Sequence, residues 1–176
     1  LKNLTVRNDS MYIKFKWEWF ENEKEYDTYM EIVNGYAERQ IMICDNRYIA
    51  SNREDKDMGF FLAEGLIEIS ELDEIVSKNE FEEVWSIHSK CLLEDWLRAK
   101  EYFTKGKEVE GILKVFYPQG VIIELENKTI AIADYEECAR NSEAKNLYPN
   151  HLVRAKVKDY DEKNMWIILE DARVQL

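Results

Sequence analysis

Tyr26-Asp27-Thr28-Tyr29-Met30-Glu31-Ile32-Val33-Asn34-Gly35-Tyr36-Ala37-Glu38-Arg39-Gln40-Ile41-Met42-Ile43-Cys44 decides the first half of the fold. Two β-prone runs flank Asn34-Gly35, the dipeptide that best tolerates the two positive φ angles of a type I′ hairpin turn. Upstream, Met11 to Phe20 alternates, with Ile13, Phe15, Trp17 and Trp19 on one face and Lys14, Lys16 and Glu18 on the other. A polar turn, Glu21-Asn22-Glu23-Lys24-Glu25, joins it to Tyr26. Downstream, Asp45-Asn46 reads as a second tight turn into Arg47 to Ser51. Short connections between neighbouring strands predict an antiparallel meander. Tyr26 and Tyr29 fall on opposite faces of their strand, which predicts that at least one is exposed.

Composition bounds the rest. The 176 residues carry 24 Lys+Arg against 36 Asp+Glu, a formal net charge of −12. That sign disfavours non-specific wrapping of nucleic acid, which needs a positive field. Hydrophobic residues at 45% and aromatics at 12% are enough for a packed core, while 6 Gly and 2 Pro exclude collagen-like and linker-rich chains. No run approaches the roughly 20 apolar residues that span a bilayer, so no membrane partner is expected. Leu1 to Ser10 has no apolar core or small-residue cleavage site and reads as a tail or an upstream extension rather than a signal peptide. Cys44, Cys91 and Cys138 are odd in number and set among apolar neighbours. They read as buried, unbridged thiols of a reducing, cytoplasmic compartment.

Asn52-Arg53-Glu54-Asp55-Lys56-Asp57 is a charged loop. Ser70 before Glu71-Leu72-Asp73-Glu74 matches a helix N-cap with acidic residues in the first turn. From Asn79, the residues Phe81, Val84, Trp85, His88, Cys91, Leu92, Trp96 and Ala99 recur at three- and four-residue steps, predicting one amphipathic helix to about Tyr102. Past Thr104-Lys105-Gly106-Lys107 the pattern becomes short strands: Val109–Tyr117, Val121–Leu125, Thr129–Ala133, Leu152–Lys158 and Met165–Leu169. A longer excursion separates the third from the fourth, as in a small Greek-key barrel. The expected class is α+β: a tail at 1–10, an acidic meander with helices at 11–103, and a five-stranded OB-like β-barrel at 104–176.

Glu110-Gly111-Ile112-Leu113-Lys114-Val115, Gly120 to Leu125, Val153 to Asp161 and the closing Trp166-Ile167-Ile168-Leu169 resemble a known RNA-binding barrel. It is the OB-fold domain repeated in the largest protein of the bacterial small ribosomal subunit. That resemblance implies single-stranded RNA as a partner, with Tyr117 stacking a base and Lys114, Arg154, Lys156 and Lys158 facing phosphates. Gln119 and Ile122 stand where the family shows aromatics. The alternation of Arg154, Lys156 and Lys158 also fits a plain solvated strand face. In the first half, Met11 to Trp17, Tyr29 to Ile32, Ala37 to Ile41 and Phe81 to Trp85 are similar, in order, to an uncharacterised bacterial domain family associated with immunity genes beside secreted toxins.

Catalytic motifs are lacking. His88 sits on an apolar helix stripe and His151 follows Pro149-Asn150 with no partner at a recognisable spacing. No phosphate loop, nucleophile elbow or metal-ligand spacing occurs, so neither metal nor cofactor is expected. Charge location is more telling: residues 1–104 hold −10 of the net charge and residues 105–176 only −2. Local acidic groups at Glu21, Glu23, Glu25 and Asp27, and at Glu54, Asp55 and Asp57, fit either a solvated face or a surface for a basic protein. The expectation is a non-enzymatic binding protein, an immunity protein blocking the basic active-site surface of a cognate toxin. Single-stranded RNA binding through the barrel is the alternative.

Overall fold

The computed structural model describes residues 9–176, so all of the expected tail but Asp9 and Ser10 lies outside the described residues. Ser10 already belongs to the first strand. The chain forms two compact units, one of residues up to Ser51 with Phe61–His88, the other of Asn52–Phe60 with Ser89–Leu176.

In the first unit, β1 (Ser10–Trp19), β2 (Lys24–Val33), β3 (Tyr36–Cys44) and β4 (Arg47–Ala50) follow the expected meander. With the two-residue β5 (Glu74–Ile75), the sheet order is β4-β3-β2-β1-β5, every pair antiparallel. Both tight turns have the chemistry they need. Asn34 and Gly35 sit at φ 52° and 85°, and Asp45 and Asn46 at 49° and 62°. A register shift after Glu31 inserts Glu38 as a bulge, which places Arg39 directly opposite Glu31.

One sheet face packs on α1 (Lys78–Lys90) through Tyr12, Tyr29, Ile41, Ala50, Val76, Phe81 and Trp85. The other buries Ile13, Tyr26, Met30, Ile32 and Met42, with Trp17 resting on Tyr26 and Phe61. Both faces are therefore covered, and Tyr26 and Tyr29 are both buried, contrary to the alternation argument. Arg39 lies inside the helix-facing core at 1% exposure. Its Nε donates to Glu31 at 2.5 Å, Nη2 donates to Glu82 at 2.5 Å, and the guanidinium lies over Phe81 and Trp85. Tyr12 adds its hydroxyl to Glu31 at 3.1 Å.

The helix expected after Ser70 is a turn instead. Ser70 N–H donates to Asp73 Oδ2 and Leu72 N–H donates to Ser70 Oγ, so the would-be cap closes on itself. The cap that starts α1 is Ser77, whose Oγ accepts from Glu80 N–H. The single long helix is also two, α1 and α2 (Leu93–Tyr102), because their buried residues serve different cores. Phe81 and Trp85 belong to the meander core, whereas Trp96 and Ala99, followed by Phe103, belong to the barrel core.

The second unit is a closed barrel of β6 (Glu108–Tyr117), β7 (Gly120–Glu124), β8 (Ile130–Ala133), β9 (Leu152–Asp161) and β10 (Trp166–Gln175), in the order β10-β8-β7-β6-β9. β10 pairs β8 in parallel and β9 antiparallel, and β9 pairs β6 to close the ring. With α3 (Tyr135–Asn141) between β8 and β9, the barrel is compatible with an OB-like fold. Inward residues such as Leu113, Val121, Ile123, Val153 and Ile167 fill it. Gly111 is required where β6 crowds β7: a Cβ there would lie 2.6 Å from the Glu124 carbonyl oxygen. Among the described residues no helix is long and apolar enough to cross a membrane.

Candidate binding surfaces

The β1–β2 turn is built by its own backbone. Asn22 and Glu23 N–H both donate to the Trp19 carbonyl, Glu23 takes φ 55°, and Asn22 Oδ1 accepts from Lys24 N–H. Asn22 Nδ2 also donates to Tyr26 Oη, tying the tip to the core. This tip presents Phe20 at 89% exposure, with Glu21 and Glu23 exposed beside it. Behind the tip, Lys16 Nζ bridges Glu25 at 3.1 Å and Asp27 at 2.9 Å, and Lys24 reaches Asp45 at 3.7 Å. Glu18 stands directly opposite Glu25 in the ladder, two carboxylates on one rung with Lys16 as the cation beside Glu25. The pairing of Glu18 with Glu25 and the exposure of Phe20 are features that sequence reasoning passed over. Counting back across the turn would have revealed the first, because strand register follows turn length.

The second acidic group has a different role. Asn52–Phe60 belongs to the barrel unit and is tied down at its start. Asn52 Nδ2 donates to the Asn164 carbonyl, and Trp166 Nε1 donates to the Asn52 carbonyl. Arg53 donates to the carbonyls of Asn52, Asn164 and Met165. Asp55 Oδ1 accepts from Asp57 and Met58 N–H, and Asp55 and Gly59 exchange backbone bonds of 2.8 Å. Glu54 is spent on Lys114, at 3.1 Å. Thus Glu54, Asp55 and Asp57 are not in the same unit as Glu21, Glu23, Glu25 and Asp27.

The same segment engages the expected RNA-binding residues. Tyr117 is 8% exposed, its ring against Phe60 at 6.2 Å and Trp166 at 6.3 Å. Burial pushes its hydroxyl far above the ordinary tyrosine value. Ile122, on the outer side of β7, is fully buried. Lys114 is neutralised by Glu54. Arg154, Lys156 and Lys158 do share an exposed face of β9, but Arg154 Nε pairs with Glu110 at 2.7 Å and Lys156 lies 3.9 Å from Asp171. The open groove beside them, ≈ 720 Å³, is lined by as many carboxylates as cations.

Cys138 is buried, Cys44 is half-buried and Cys91 is exposed, so the expectation of three buried thiols holds for one. His151 Nδ1 lies 2.7 Å from the Asn146 carbonyl oxygen. Among the described residues no group of three or more His, Cys, Asp or Glu side chains could hold a metal ion. The class defined by these observations is an α+β protein with an acidic meander unit and an OB-like barrel. No model of a known protein family matches the chain, and no curated protein matches it in sequence.

Proposed function

We propose that the protein is a non-enzymatic binding protein that neutralises a cognate bacterial toxin, its acidic β1–β2 hairpin engaging a basic surface such as the phosphate-binding cleft of a nuclease. The observation that carries this reading is the hairpin tip: a hydrogen-bonded turn with Phe20 exposed and carboxylates around it. Carboxylates steer encounter with a cationic partner, and an aromatic anchor supplies desolvated contact once docked. The Glu18–Glu25 rung supports the same reading, because Lys16 is drawn to Glu25 and Asp27 and a partner's cation placed at Glu18 adds attraction there. So does the location of −10 of the net charge in residues 1–104, and the resemblance of this half to immunity-type domains.

Co-expression with the product of the neighbouring gene is the direct experiment. The reading expects rescued growth and a complex that co-purifies at low salt. Growth arrest that persists, with no complex, would remove it.

A further inference from the structure

A separate feature lies in the barrel unit. Arg53, Asp95, Trp96, Arg98, Tyr102, Lys128 and Met165 are among the residues around a cavity of ≈ 580 Å³, within the size range of small-molecule sites. It is bounded by α2, the β7–β8 loop and the start of β10. Arg53 is the unusual member. Both Nη1 hydrogens go to main-chain carbonyls, of Asn52 and Asn164, and Nη2 donates to Met165. A guanidinium carries five N–H donors, so Nε–H and one Nη2–H remain. Carbonyl oxygens satisfy donors but do not balance a charge, and among the described residues no carboxylate lies within ion-pair distance of Arg53. Asp95 acts on it only from farther away and is itself 3.5 Å from Arg98. Desolvation lowers the Arg53 value to about 10, so it stays cationic at neutral pH.

The lining holds Arg53, Arg98 and Lys128 against Asp95, and because Arg98 is already paired with Glu94 and Asp95, Arg53 and Lys128 are the cations left to meet a ligand. A half-buried cation is best tolerated when it is paired, and for Arg53 the pair is incomplete. The other walls are apolar or aromatic: Leu92, Trp96, Phe103, Ile130 and Met165. We propose that this cavity binds a small organic anion, an oxyanion head directed at Arg53 on a flat apolar body held against the Trp96–Met165 wall. The mixed-charge groove beside Arg154 lacks such a site, because its cations and carboxylates balance.

The test is titration of the whole protein with 5′-AMP, benzoate, inorganic phosphate and adenosine, by calorimetry and by the Trp96 indole N–H signal in a ¹H–¹⁵N spectrum. That proton donates to Glu162 at 2.8 Å, and the Trp96 side chain that carries it belongs to the lining. The inference expects saturable binding of AMP or benzoate, with a shift of the Trp96 signal. Phosphate should bind more weakly and adenosine not at all. AMP against benzoate separates a phosphate head from a carboxylate. Arg53→Gln should abolish binding. Because Arg53 also anchors Asn52–Phe60, two exposed positions give independent readings. Lys128→Glu should weaken binding about fivefold and Asp95→Asn should tighten it about twofold, the modest sizes expected of solvent-screened charges. No binding by any anion at 5 mM would overturn the proposal. So would binding indifferent to both Lys128→Glu and Asp95→Asn, or adenosine binding as well as AMP.

Discussion

Arg39→Met removes a cation from the centre of the meander core. The guanidinium is 1% exposed, and its ion-pair partner Glu31 is 2% exposed on its side chain, whereas Glu82 is 38% exposed. Methionine fills most of the same volume, so the cavity contribution is small and the electrostatic one dominates. Breaking a buried pair from one side strands the other charge and costs about 3–5 kcal/mol. The Tyr12 hydroxyl remains as a donor to Glu31 but supplies no countercharge. Glu82→Gln, at a half-exposed partner, should cost about 1 kcal/mol. The double variant Arg39→Met with Glu31→Leu removes the stranded carboxylate and should be more stable than Arg39→Met alone, although Tyr12 then loses its acceptor. Because protonation discharges Glu31, the deficit of Arg39→Met should narrow on acidification. Urea denaturation followed by circular dichroism, fitted for wild type, these variants and the Glu31→Leu single that completes the cycle, measures these differences. A single-variant cost below about 1 kcal/mol, or a double-variant cost equal to the sum of the singles, would refute the claim that the ion pair is buried and coupled.

Further expectations rest on other contacts. Gly111→Ala should cost about 1–3 kcal/mol in thermal or urea unfolding, since its Cβ meets the Glu124 carbonyl at 2.6 Å and backbone must move. Glu162 is held below its ordinary value of 4.5 chiefly by Lys100, with help from Trp96 Nε1–H. Its stabilising contribution is therefore present above that value and lost as pH falls through the depressed one, so Tm of wild type and Glu162→Gln should converge in acid. Cys138, buried and pushed up to about 12, should react with Ellman's reagent only on unfolding, whereas exposed Cys91 reacts in the native protein.

Much of this architecture was legible because turn chemistry is local. Asn34-Gly35 and Asp45-Asn46 specify their turns through positive φ, and the meander follows. β6, β7 and β8 were legible within one residue at both ends, whereas β9 and β10 start where expected but run on past Lys158 and Leu169 to Asp161 and Gln175. What failed was non-local. A Ser-x-x-Asp sequence serves a helix cap or a closed turn equally well, and only tertiary packing chose the turn at Ser70. The apolar stripe from Phe81 to Ala99 keeps helical phase across a break, because the two halves answer to separate cores. Asn52 to Asp57 looks like a solvated loop from composition, yet its main chain and Arg53 are bonded into the barrel. For the same reason Tyr117, Lys114 and Glu54, read from sequence as parts of rival surfaces, meet one another's neighbourhood in the fold.

The central claim is that the acidic hairpin meets a basic protein. It is tested by the Kd of the purified protein for the neighbouring gene product, measured against salt for wild type and for Glu21→Lys/Glu23→Lys/Glu25→Lys. The account predicts a loss of about 30-fold or more for the variant, the scale of a hot-spot cluster, and a flattened salt dependence. Equal affinity and equal salt slopes for the two proteins would contradict it.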